Sequence, residues 1–177
     1  IPGYGGSTTA SVQWDTTDKV GIHDIYVVIS NCDPMDSNTT NNVMSKTITV
    51  RENADVYIER VGYESKGPTG SGTNVIDGDT VRIRATLYNK GQRTTTAIVR
   101  FKEGNVQIGD DQANEVKGRD GYLSGPPAYY EVYWHATSGT HTISTEIVSC
   151  DPPETNITGN AYSADGNYYE TSIYVMQ

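Results

Sequence analysis

The stretches "HDIYVVISNCDPMDSNTTNN" (residues 23–42) and "HTISTEIVSCDPPETNITGN" (residues 141–160) are two copies of one segment. His23/His141, Ile25/Ile143, Ile29/Ile147, Cys32/Cys150, Asp33/Asp151, Pro34/Pro152, Asn38/Asn156, Thr40/Thr158 and Asn42/Asn160 recur at one constant offset, without a gap. A chain that writes a unit twice folds as two related pieces, which limits the architecture before propensities are considered. The doubling is uneven. Trp14 matches Trp134, "TITV" (47–50) matches "SIYV" (172–175), and "PGYGG" (2–6) lies where "DGYLSG" (120–125) lies, but nothing in the first copy corresponds to residues 55–104. Residues 1–50 therefore read as the second half of a unit, with three strands at 8–14, 21–31 and 43–51. Residues 51–177 read as a whole unit. The joint "RENA" (51–54) is short and lacks Gly and Pro, which predicts closely coupled pieces.

The periodicity is that of strands. "DTVRIRATLY" (79–88) sets Val81, Ile83, Ala85 and Leu87 against Arg82, Arg84, Thr86 and Tyr88, the pattern of a half-buried strand. Residues 54–63, 95–104, 129–136, 140–149 and 170–177 read similarly. "GPTGSG", "DGD", "NKGQ", "GDDQ", "SGPP" and "ATSGT" separate them as turns. No helical period exceeds two turns. The predicted inward residues of the whole unit are Val81, Ile83, Leu87, Val99, Phe101, Trp134, Ile143, Ile147, Ile173 and Val175. Aromatic content is mostly tyrosine, 13 Tyr against 1 Phe and 2 Trp, which suits half-exposed strands and contacts between subunits.

A net charge of −9, with no cluster of Lys and Arg, argues against nucleic-acid binding. No apolar run approaches the roughly 20 residues of a membrane span. The chain starts at Ile1, as a processed form or a fragment would.

The order "ADVYIERV", "DGDTVRIRATLYNKG", Trp134, "GTHTISTEI" and a closing "SIYV" resembles the CARDB-type Ig-like modules that recur in tandem on bacterial and archaeal surface proteins. The likeness covers residues 54–177 as a module and 4–50 as the second half of another. Asn41 and Asn42 fit the Asn-rich segment that precedes the last strand in such modules, whereas residues 160–167 depart from it through an insertion. The resemblance implies an all-β fold of Ig-like or fibronectin-III-like β-sandwich beads in tandem, the N-terminal one incomplete, and an extracellular structural or adhesive role.

"NTT" at Asn38 and "NIT" at Asn156 are N-glycosylation acceptors at equivalent repeat positions. An Asx-turn capping the loop is the competing reading. Cys32 and Cys150 end equivalent strands just before "DP". A disulfide needs Cα atoms within about 7 Å, so an intrachain bond requires the half unit to fold back on the whole one. A bond between neighbouring chains and buried free thiols are the alternatives. The acidic loops carrying Asp33, Asp36, Asp77 and Asp79, with Asp110 and Asp111, are weak calcium candidates that lack the spacing of an EF-hand, and solvated turn carboxylates are the competing reading. His23 and His141 open equivalent strands, which reads as a fold position rather than a ligand. No nucleophile elbow, P-loop, zincin or Rossmann pattern occurs, so no enzyme and no cofactor is expected.

These features predict an extracellular structural subunit of a prokaryotic surface assembly (a filament, a sheath or S-layer, or an adhesin stalk). Its partners would be copies of itself or neighbouring subunits, with covalent N-glycans. The alternative is a carbohydrate-binding or adhesion module, whose platform would lie in "PPAYYEVYW" (126–134). Alternation there puts Tyr130, Val132 and Trp134 on one face and Tyr129, Glu131 and Tyr133 on the other.

Overall fold

The computed structural model describes residues 6–17, 19–67, 72–121, 124–154 and 166–177. The chain divides into a unit of residues 1–51 and a unit of residues 52–177. Among the described residues the regular structure is β-strand throughout, apart from one 3-10 turn at Thr39–Asn41.

In the first unit β1 (Gly21–Val28) pairs antiparallel with β2 (Val43–Val50). The Ile29 N–H donates to the Asn42 carbonyl and extends the ladder into the loop. Residues 8–14, expected as a strand, join no ladder. A strand exists only with a neighbour to receive its N–H and C=O groups. The stretch that matches residues 8–14 in the second unit is paired to a strand that the first unit lacks.

The second unit is a two-layer sandwich. One sheet contains β3 (Val56–Ser65), β5 (Thr80–Asn89) and β9 (Ala128–His135), with β5 central. The other contains β4 (Val75–Ile76), β6 (Thr95–Glu103), β7 (Val106–Gln107), β8 (Gln112–Val116), β10 (Gly139–Asp151) and β11 (Tyr168–Met176). Here β10 lies between β11 and β6, while β7 and β8 both pair β6. Alternation positions the core. Val81, Ile83, Ala85 and Leu87 on β5 stand opposite Trp134, Val132, Tyr130 and Ala128 on β9, and all eight are buried. Nine of the ten predicted inward residues are buried, and Ile147 is half-buried. The register of β10 on β6 slips between Ile147 and Ser149, and this bulge turns Ile147 partly out of the core.

A polar knot closes one end of this sandwich. Asn89 is fully buried, and all its hydrogen-bonding groups are used. Its Oδ1 accepts from the Asp55 and Gly91 N–H groups at 3.0 and 2.9 Å. Its Nδ2 donates to the Arg93 and Val116 carbonyls at 2.9 and 3.2 Å. Gly91, two residues on in the "YNKG" turn, has a physical reason to be glycine. A Cβ there would lie 1.8 Å from the Asn53 carbonyl oxygen.

Glu154 ties the last described residue before the 155–165 segment to β3. Its carboxylate accepts from the Val56 N–H at 2.8 Å and from Asn167 Nδ2 at 2.6 Å, yet the residue is buried. Burial raises its pKa above the ordinary glutamate range, outweighing the two hydrogen bonds that favour the carboxylate. A raised folded-state pKa contributes stability that is fully present below the unfolded-state value and is lost as pH rises through the folded-state value. Thermal unfolding of the native chain should therefore shift downward across that window. A Glu154→Gln chain should lack this part of the fall, and parallel curves for the two chains would contradict it.

Candidate assembly interface

The hairpin β1–β2 reproduces β10–β11 residue for residue. Gly21 stands opposite Val50 as Gly139 stands opposite Val175, and His23 stands opposite Ile48 as His141 stands opposite Ile173. Both glycines hold a positive φ, 127° and 125°. The Ile29 N–H meets the Asn42 carbonyl as the Ile147 N–H meets that of Asn167. Asp33–Pro34 and Asp151–Pro152 are both cis. The aromatic contacts match as well. Trp14 and His23 meet edge to face with centroids 5.2 Å apart, and Trp134 and His141 do so at 4.9 Å. Each histidine brings Nε2 to a carbonyl four residues earlier, Lys19 at 2.5 Å and Thr137 at 2.6 Å. A carbonyl only accepts, so Nε2 carries a proton in both copies.

What differs is the cover. In the second unit Glu103, at the end of β6, accepts from Trp134 Nε1 at 2.9 Å and lies 2.6 Å from His141 Nδ1. Among its described residues the first unit contains nothing equivalent to β6. No described residue of 6–51 is buried. Trp134 is 5% exposed and Trp14 38%; Ile173 is 0% exposed and Ile48 39%; Thr145 is 0% exposed and Val27 63%. The same local geometry is thus a core in one unit and a wet surface in the other. Ile22, Tyr26, Val28, Val43 and Met44 add further exposed apolar side chains. Among the described residues, the β1 edge that corresponds to the β6-facing edge of β10 carries no ladder partner. An apolar face beside an open strand edge is a surface that recruits another strand.

The outer face of the β3–β5–β9 sheet has another character. Arg82 pairs Glu64 at 2.6 Å and approaches Glu131 at 3.6 Å, and Arg84 pairs Glu131 directly. Tyr129 and Tyr133 are exposed on this face, as the alternation of 126–134 predicts, while Tyr130, Val132 and Trp134 point inward. The Arg84 guanidinium lies over the Tyr129 ring, 5.3 Å from its centroid. One ring of the platform that the alternative, carbohydrate-binding reading would use is therefore already covered by a cation.

The other residues singled out in the sequence fall as follows. Asn38 is exposed, and its Oδ1 accepts from the Thr40 N–H at 3.2 Å and the Thr40 hydroxyl at 2.6 Å, capping the 3-10 turn. Asn156 lies outside the described residues. Asp36 accepts from the Asn38 N–H, and Asp77 from the Ser138 N–H. Asp79 is buried and accepts from the Ser65 hydroxyl and the Ile76 N–H. Asp111 forms a two-pronged pair with Arg100. Asp33 is exposed. Among the described residues no three His, Cys, Asp or Glu side chains come together as a metal site.

Cys32 is an exposed thiol and Cys150 a half-buried one. Burial, with the Glu154 charge nearby, pushes the Cys150 thiol up to about 12. The thiolate is the nucleophile, so at neutral pH Cys150 should resist iodoacetamide while Cys32 is alkylated readily. Peptide mapping after brief labelling of the native chain checks this, and equal labelling would contradict it.

Sequence reasoning missed Glu103, Asn89 and the anchoring of Tyr130. The buried Tyr130 hydroxyl lies 3.1 and 3.0 Å from the Ala97 and Asn114 carbonyls. For Glu103 a signal existed. A buried indole N–H requires an acceptor, and a Trp–His pair conserved between the copies asks what else it holds.

A two-layer, all-β sandwich of Ig-like type is the class that this geometry defines. Among solved structures it is similar to the CARDB domain of a Pyrococcus furiosus protein, crystallised in complex with di-metal ions. That match has 15% identity and a TM-score of 0.46, and covers 72% of this chain and 98% of that one. A solution structure of the same CARDB domain matches at 16% identity with a TM-score of 0.42, over 71% and 97% of the two chains. No family model and no curated protein matches the chain. No helix among the described residues is long and apolar enough to cross a membrane.

Proposed function

We propose that the chain is a non-catalytic structural subunit of an extracellular surface assembly, its N-terminal half unit making the contacts that join it to a neighbouring subunit. One observation carries this reading. Residues 6–51 repeat the β10–β11 half of the sandwich in register, yet bury none of their side chains. An isolated two-stranded hairpin is marginal in water, so a partner completes it. The rest of the molecule suits a load-bearing bead, with a closed core, ion-paired outer strands and a glycan acceptor on an exposed loop.

Electron microscopy of native material should show ordered filaments or sheets. Discrete particles at every concentration would remove the reading. Glycopeptide mass spectrometry of the same material should find sugar at Asn38 and Asn156, and bare sites would remove the glycan part alone. A carbohydrate-binding role draws support from exposed Tyr129 and Tyr133. Arg84 over Tyr129 and ion-paired Glu131 weigh against it. Glycan-array binding by the monomeric chain, lost on Tyr133→Ala, would reverse that balance.

A further inference from the structure

The open edge of β1 has a recognisable complement, because the same chain shows what its twin accepts. We propose that this edge takes an antiparallel strand from a partner polypeptide, with a carboxylate that reaches Trp14 Nε1 and His23 Nδ1 and with alternating apolar residues beyond it. The inference rests on the structural-subunit reading and specifies its contact. In the second unit Glu103 stands opposite Ile143, Phe101 opposite Thr145 and Val99 opposite Ile147. Carried to the twin, the partner's carboxylate stands opposite Ile25, and apolar side chains stand opposite Val27 and Ile29. The acceptor is already set. The Trp14–His23 pair has the edge-to-face geometry of Trp134–His141, and its Nε2 contact is made in the same way, which leaves Nδ1 for the newcomer.

A second folded copy of these 177 residues does not supply the strand. Its β6 is paired by β10 on one edge and by β7 and β8 on the other. Among its described residues each copy also contains two hairpins of the β10–β11 kind and one set of front strands, so exchange among copies leaves one hairpin uncovered. The occupant therefore brings front strands of its own. It also brings counterparts of β3 and β5, which together with residues 8–14 would cover Ile48 and Val27, as the β3–β5–β9 sheet covers Ile173 and Thr145.

The test uses the whole chain extended at its N-terminus by a second copy of residues 52–120, which places front strands where the first unit lacks them. Trp14 fluorescence should shift to the blue and resist iodide, residues 8–14 should join a ladder, and β1 amide exchange should slow about a hundredfold or more. Glu103→Ala in the added copy alone should return much of the Trp14 quenching. As an arm independent of whether the extension folds, the nine-residue peptide 95–103 is added to the unmodified chain. It should shift the Trp14 indole and His23 ring resonances, and the same peptide ending in Gln should bind about tenfold more weakly or worse, as expected for losing a charge-assisted bond. If neither extension nor peptide alters Trp14 and His23, the proposal is overturned. It is equally overturned if the unmodified chain dimerises with Trp14 buried, since a second copy would then be the occupant. Completion of the hairpin by the extension, in a protein whose native material forms no polymer, would keep this inference and remove the assembly reading.

Discussion

Replacing Trp134 with alanine is expected to destabilise the second unit by about 3–5 kcal/mol, the range for truncating a buried large aromatic. Three losses add here. The indole leaves a cavity beside Val81, its cross-strand neighbour. Glu103 loses the indole N–H at 2.9 Å, and His141 loses the ring it packs against. Chemical denaturation followed by circular dichroism gives the number, and a loss under about 1 kcal/mol would place Trp134 on the surface. The matching change Trp14→Ala serves as an internal control. In the chain alone it should cost only a few tenths of a kcal/mol, because a surface side chain away from packed features contributes little. The same residue type in the same local motif would then differ by several kcal/mol, and only the cover differs.

Asn89→Ala is expected to destabilise the same unit by on the order of 4 kcal/mol, without making a large cavity. Removing the amide orphans four backbone groups at once, two N–H donors and two carbonyls. Each orphaned buried group costs about 1–3 kcal/mol, with some relief from water entering at the sandwich end. Asn89→Asp separates the effects. It keeps both acceptor bonds to Asp55 and Gly91 but turns two carbonyls toward a carboxylate, so it should not rescue. Denaturation midpoints of the two variants close to that of the native chain would show that the knot is dispensable.

The six long strands of the second unit were legible because each alternates against a core that lies within its own unit. β8, "QANEV", was not, because only Val116 on it is buried and an edge strand of polar residues has no apolar period to read. Residues 8–14 erred the other way. They match β9 in sequence, but a ladder is a non-local property and their front-strand neighbour is missing. Glu103 lay in the stretch with no repeat counterpart, so comparing copies could not reveal it. Its role appears only when the fold brings residue 103 beside residues 134 and 141. The repeat itself was fully legible, and the structure gives it a geometric meaning in the shared register of two hairpins.

Amide hydrogen exchange of the monomeric chain tests most directly whether residues 6–51 are half of a sandwich that awaits its cover. The comparison is between equivalent positions, Gly21–Val28 on β1 and their counterparts from Gly139 onward on β10. These share strand register, and the β10 stretch has a β6 ladder and a packed layer against it that β1 lacks. Exchange through local opening costs almost nothing at an uncovered edge and approaches the global unfolding free energy in a packed core. The expected result is β10 amides that exchange orders of magnitude more slowly than their β1 twins. Equal, high protection in both hairpins of a monomer would mean that the first unit is already complete, and would contradict the claim.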